Sequence, residues 1–244
     1  MNILVVSAHP DDEIIGMGGT LKKLSKKHNI SVLFLAEGIT ARKKSGHVNV
    51  PNYEVNNIEK KKMQHEIERR NNNAVRALKL VGIKNTKFLN YPDNELDTIP
   101  FLKIVKSVEK EIYRIKPKII FTHHYNDLNV DHRLAFESTI TASRPLEGSP
   151  VNSIFSFESI SSTDWKPPYS FKPNVFVDIS NELKSKIHAL SEYKKEMRKF
   201  PHPRSKHTIE AVAKRWGSLY GFHAAEAFEL VTSRIKNFNN SLFS

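Results

Sequence analysis

The chain has 244 residues, no cysteine, and 38 Lys and Arg against 26 Asp and Glu, a formal net charge of +12. This length suits one sizeable α/β domain whose core needs no staples. The missing cysteines exclude disulfides, thiolate zinc sites and a cysteine nucleophile, so any metal must use histidine and carboxylate.

The elements read as follows in chain order. Residues 2–8 form a first strand around Ile3-Leu4-Val5-Val6, a helix covers about 16–28, and a second strand covers 30–36. Gly38 to about Val55 is polar and irregular, a loop expected to lie over the site. Met63, Ile67, Ala74, Leu78 and Val81 recur at helical spacing through 58–81, and Gly82 stands where a helix stop belongs. A strand at 86–90 leads into a turn at Pro92-Asp93-Asn94, and a helix over 99–116 ends before Pro117. Ile119-Ile120-Phe121-Thr122 is another strand, and His132 lies near the start of the next helix. Further on, strands are expected at 153–158 and 174–178, a helix capped by Ser180 runs to about Lys199, and terminal helices cover 206–218 and 223–236.

The β-α-β-α-β-α-β alternation predicts an α/β, Rossmann-like three-layer fold. Its sheet is mostly parallel, with helices on both faces and a C-terminal helical extension. A single domain over 1–244 is expected, with the core in about 1–145 and the remaining strands and helices in about 150–240. Gly16-Met17-Gly18-Gly19 lacks GxGxxG spacing and follows an acidic turn, which disfavours a dinucleotide pyrophosphate. The short apolar N-terminal run is not a signal peptide, and no apolar stretch approaches the roughly 20 residues of a membrane span. A soluble, cytoplasmic protein is expected. The lysines fall in short runs such as Lys60-Lys61-Lys62, without interleaved aromatics, and read as solvated helix faces. A nucleic-acid partner would give the acidic cluster at residues 9–13 no role.

That cluster, Ala8-His9-Pro10-Asp11-Asp12-Glu13, stands at the end of the first strand. Ligands of open α/β sheets bind beyond the carboxyl ends of the strands. A catalytic metal site needs about three protein ligands and an open position. His9 and Asp12 supply two, and Asp11 between them suits a base acting on water. A third ligand belongs near the end of another strand, where the run from His123 to Arg133 contains His132. Asp131 is one candidate for fixing the His132 tautomer.

HPDDE after a first strand, joined to a DH pair after a later one, resembles the PIG-L/LmbE-like zinc-dependent deacetylases, which remove acetyl groups from N-acetylglucosaminyl substrates and related amides. The resemblance runs through most of residues 2–135. It implies one zinc ion held by His9, Asp12 and His132, with Asp11 as general base. It also implies substrate contacts from Arg70 and Asp93. Two positions depart from the family pattern: Asn129 stands where many members have His, and Asn73 where Glu is frequent. An Asn amide donates a hydrogen bond to an oxyanion but is no proton donor near neutral pH. His202, with a proline on each side, is therefore the leading candidate for protonating the leaving amine, ahead of His123, His124 and His223. Arg204 is a candidate for a phosphate or sugar hydroxyl. A weaker resemblance of the tail points to bacterial surface-glycan or modified-sugar biosynthesis. The implied partner is a small amino-sugar substrate, with a phosphorylated or nucleotide-linked form suited to the positive charge. A different amide substrate, a non-catalytic sugar-binding role and a homo-oligomer remain open alternatives.

Overall fold

A computed structural model describes residues 1–41 and 57–235. Its organising element is a seven-stranded sheet in the order β3-β2-β1-β4-β5-β7-β6. The strands are β1 (Asn2–Ser7), β2 (Asn29–Ala36), β3 (Asn85–Tyr91), β4 (Ile119–His123), β5 (Ser153–Phe157), β6 (Val175–Asp178) and β7 (Ala225–Ser233). The first five are parallel, while β7 runs antiparallel to both β5 and β6. The helices are α1 (Asp12–Leu24), α2 (Asn57–Leu80), α3 (Phe101–Ile115), α4 (Val130–Ala142), α5 (Leu183–Leu190) and α6 (Lys206–Ser218).

Alternation along β1 divides the core. Ile3 and Val5 join a cluster with Leu78, Phe157 and Phe228, whereas Leu4 and Val6 join Ile104, Val108 and Ile112 of α3. Both faces of the sheet are therefore covered, as a parallel sheet requires. Chain order reverses between β1 and β4, and the crevice at this switch point is where an open α/β sheet receives a ligand. Helix α1 starts at Asp12 rather than near residue 16, so the acidic cluster feeds directly into its first turn. Gly16 is needed there: a Cβ would lie 2.4 Å from Phe157 Cδ2. At Met17 the helix kinks, and Glu226 from β7 accepts the freed Gly19 and Thr20 N–H groups at 2.9 and 2.6 Å.

The expected alternation and mostly parallel sheet are present, and the C-terminal part differs. Residues 223–236 were expected to be helical, but β7 occupies most of that stretch, wedged between β5 and β6. Its Ala and Glu residues favour a helix locally, and pairing on both edges with Phe228 in the core overrides that preference. The extension thus adds strands as well as helices. The helix expected to reach Lys199 stops at Leu190 and passes into a 3-10 turn at Ser191–Tyr193. Ser180 does not cap it: its hydroxyl donates to Asp178, and Glu182 precedes the helix. Most of the loop expected over the site, 42–56, lies outside the described residues. No helix among the described residues is long and apolar enough to cross a membrane.

Candidate active site

The chain turns sharply between β1 and α1. Asp11 has φ 130°, a conformation L-residues rarely adopt. Glu13 Oε2 accepts the Asp11 N–H at 2.9 Å, and the Tyr193 hydroxyl donates to Glu13 Oε1 at 2.8 Å. Burial pushes the Glu13 carboxyl up to about 8, against those two hydrogen bonds. The turn sends the side chains of Asp11 and Asp12 into different surroundings.

Asp12 faces the histidines. Its Oδ2 lies 3.2 Å from His9 Nδ1 and 3.2 Å from His132 Nε2. All three residues are buried, and one ligand atom from each falls within 4.8 Å of the others. His132 Nε2 is buried without a hydrogen-bond partner although it faces a carboxylate oxygen. Two imidazoles and one carboxylate converging in this way fit a divalent cation and leave coordination positions free. Burial alone would raise Asp12, but His132 and His9 outweigh it and hold the carboxyl well below its ordinary range. His132 rises to about 9 despite burial, through Asp12 and Asp127.

The outer contacts fix both rings. His132 Nδ1 lies 3.2 Å from Asp127 Oδ1 and 3.3 Å from Ser162 Oγ. His9 Nε2 lies 2.9 Å from Asp131 Oδ2 and 3.1 Å from Asp93 Oδ1. Asp131 in turn accepts the N–H groups of Asn94 and Leu96. Asp131 therefore orients His9, and Asp127 takes the role beside His132 that sequence adjacency offered to Asp131. A helical residue's direct neighbour points about 100° away, which separates Asp131 from His132. His123 Nε2 accepts the Ala8 N–H at 2.9 Å, and its ring stacks on His132 at 4.0 Å. Burial, with the His132 charge adding to it, keeps His123 neutral.

Asp11 faces two guanidinium groups instead. Arg70 Nη2 lies 3.2 Å from its Oδ1, and Arg204 Nη1 lies 3.0 Å from its Oδ2. Burial raises the Asp11 carboxyl more than Arg204 and Arg70 lower it, which strengthens it as a base. Both arginines were expected at the substrate; here they grip Asp11. Arg70 is buried, with Nη1 donating to Gly38 O at 2.7 Å and Nε to Pro10 O at 3.0 Å. Glu196 joins them, 3.3 Å from Arg70 and 3.7 Å from Arg204. Arg204 also donates to Ser161 Oγ at 2.9 Å and reaches into a cleft of 410 Å³ that Trp165, Glu196, Arg198 and His202 help to line.

His202 Nδ1 accepts the Arg204 N–H at 3.0 Å. Slight burial and the Arg204 and Arg198 charges lower its pKa, so less of the imidazole carries a proton to donate near neutral pH. Asn129 caps α4, its Oδ1 accepting the Asp131 N–H at 2.8 Å, so only its amide donors are left for an oxyanion. His124 is committed to Glu229 and Ser170, and His223 is exposed. Sequence reasoning missed the parts played by Glu13, Asp127, Tyr193 and Glu196. Glu13 and Asp127 sat inside runs already singled out; Tyr193 and Glu196 carried no signal.

Residues 4–143 match the family model described as PIG-L: GlcNAc-PI de-N-acetylase. The chain belongs to the PIG-L family. Among curated PIG-L relatives, a diacetylchitobiose deacetylase of Thermococcus kodakarensis is 26% identical, over 94% of this chain and 82% of its own length. An uncharacterized deacetylase, YaiS, of Escherichia coli is 28% identical, over 79% of this chain and 90% of its own. The N,N'-diacetylchitobiose deacetylase of Pyrococcus horikoshii shares the fold with a TM-score of 0.72 at 21% identity, covering 95% of this chain and 84% of that one. GalB of Pseudomonas putida, a 4-carboxy-2-hydroxymuconate hydratase, also scores 0.72, at 18% identity, over 97% of this chain and 98% of its own. One fold therefore carries both hydrolytic and hydratase chemistry, and function has to be argued from the site.

Proposed function

We propose that this PIG-L chain is a zinc-dependent hydrolase that removes the acetyl group from an N-acetylated amino sugar or its glycoside or nucleotide conjugate. One observation carries the reading: a buried, raised carboxylate, Asp11, next in sequence to the convergent His9–Asp12–His132 set. Zinc at that set would supply a Lewis acid that polarises an amide carbonyl and acidifies water. Asp11 Oδ accepts the proton of the attacking water. Arg70 and Arg204 keep the carboxylate in place while it waits. The amide donors of Asn129 serve the developing oxyanion. Asp11 then returns its proton to the leaving amine, since His202 is lowered and Asn129 is no acid. Asp93 and the cleft beside Arg204 offer sugar contacts.

The family description and the diacetylchitobiose deacetylases among its relatives support an amino-sugar amide over other amides. A cytoplasmic location and a role in bacterial glycan or modified-sugar biosynthesis accompany this reading. The test is acetate release from N-acetylglucosamine, N,N'-diacetylchitobiose, UDP-N-acetylglucosamine and simple acetanilides by the zinc-loaded protein. Release from at least one sugar and little from the anilides supports the proposal. Preference for the anilides moves the function to another amide, and no release from any of them refutes it.

A further inference from the structure

Away from the metal ligands, a second chain of polar groups has the order found in serine hydrolases. His124 follows β4 and is fully buried. Its Nδ1 lies 2.8 Å from Glu229 Oε2 on β7, and its Nε2 lies 2.8 Å from Ser170 Oγ. Ser156 Oγ and the Lys172 N–H also bond Glu229 and fix its carboxylate. With Glu229 accepting from Nδ1, Nε2 is left as the acceptor, so the Ser170 hydroxyl donates to it. The Asn126 amide approaches the same Oγ at 2.9 Å. Tyr125 and Phe171 pack on the imidazole at 4.5 and 5.4 Å and restrict its rotation. Ser170 itself is half-buried beside the exposed Tyr169.

We propose that Ser170, His124 and Glu229 form a second, metal-independent nucleophilic centre that accepts acyl groups from carboxylic esters. Nucleophile, base and orienting carboxylate stand in hydrogen-bond sequence, the arrangement that activates a serine whatever the fold. Oγ attacks the acyl carbon while its proton passes to His124 Nε2. The ester C–O bond then breaks, and the alcohol leaves with that proton. Water, deprotonated by the same nitrogen, releases the carboxylic acid and restores the serine. Asn126 is placed to donate to the carbonyl oxygen as charge develops there.

The test uses a fluorophosphonate probe, which transfers its phosphonyl group to an activated serine and loses fluoride. The zinc-loaded chain is labelled and the adduct located by peptide mass spectrometry. The expected result is one adduct on Ser170, absent in Ser170→Ala, with labelling slowed about 100-fold or more in His124→Gln. Ser170→Ala leaves amide hydrolysis at the metal site unchanged. Melting curves establish that each variant is folded. If His124→Gln does not fold, Glu229→Gln serves, with slowed labelling again expected. The p-nitrophenyl acetate hydrolysis that remains in Asp11→Asn, and is lost when Ser170→Ala is added to it, gives a second readout. A network that only ties the 166–174 segment to the sheet would stabilise the protein without reacting. An unlabelled Ser170, or one labelled equally fast in the folded histidine or glutamate variant, overturns the proposal.

Discussion

Glu158 offers a perturbation whose size follows from its surroundings. It follows β5, is 7% exposed, and accepts a hydrogen bond from Trp216 Nε1 at 2.7 Å. Beside it, the buried Lys186–Glu226 ion pair at 2.7 Å lines the same small cavity of 20 Å³. Burial raises the Glu158 carboxyl from 4.5 to about 7, although Trp216 and nearby cations favour its charged form. That rise corresponds to about 3 kcal/mol of preference for the neutral acid in the folded state. The folded protein holds this proton where the unfolded chain has lost it, so stability falls as pH rises from 4.5 through 7. Glu158→Gln keeps the shape and the acceptor for Trp216 and removes the titration. Relative to wild type, the variant should gain about 3 kcal/mol between pH 4.5 and pH 8.5, with most of the gain complete by pH 7.5. For a chain of this size the corresponding relative shift in Tm is roughly 6–12 °C. Urea unfolding of both proteins at half-unit pH intervals measures the difference directly, and other titrating groups cancel. A difference that is flat across this range would refute the assignment of a buried, proton-holding Glu158.

Other outcomes follow from the site. Asp127→Asn weakens the orientation of His132, and Asp131→Asn that of His9. Each should lower zinc affinity about 10–100-fold, read by competition with a chromophoric chelator, and unchanged affinity would contradict the pairing. Arg204→Ala removes a cation that lowers the Asp11 pKa, so the acidic limb of the kcat/KM profile should move to higher pH. A shift to lower pH, or none, would show that Asp11 is not the group titrating on that limb.

The first half of the fold was largely legible because its strands are short apolar runs separated by helices with clear stops. Ile3–Val6 and Ile119–Thr122 announce β1 and β4, and Gly82 ends α2 with φ 91°. Convergence of His9, Asp12 and His132 was legible for the same reason: both segments lie at strand ends on either side of one switch point. The outer contacts were not. Whether Asp127 or Asp131 reaches His132 depends on how the segment before α4 curls, which residue order does not encode. Only the family resemblance marked Arg70, as a substrate contact; its burial comes from Asp11, Glu196 and two carbonyls belonging to distant segments. Strand β7 was hidden because its Ala-Glu-Ala start has helical propensity and its pairing partners, β5 and β6, lie far away in sequence.

The central claim is that Asp11 acts as the base beside a zinc ion held by His9, Asp12 and His132. The most direct measurement is acetate release from N,N'-diacetylchitobiose by zinc-loaded wild type and Asp11→Asn, with bound zinc quantified in the same samples. The account predicts about one zinc per chain in both proteins, and release by wild type that falls at least about 100-fold in the variant. Equal release by the two proteins, or a chain that binds no zinc, would contradict it.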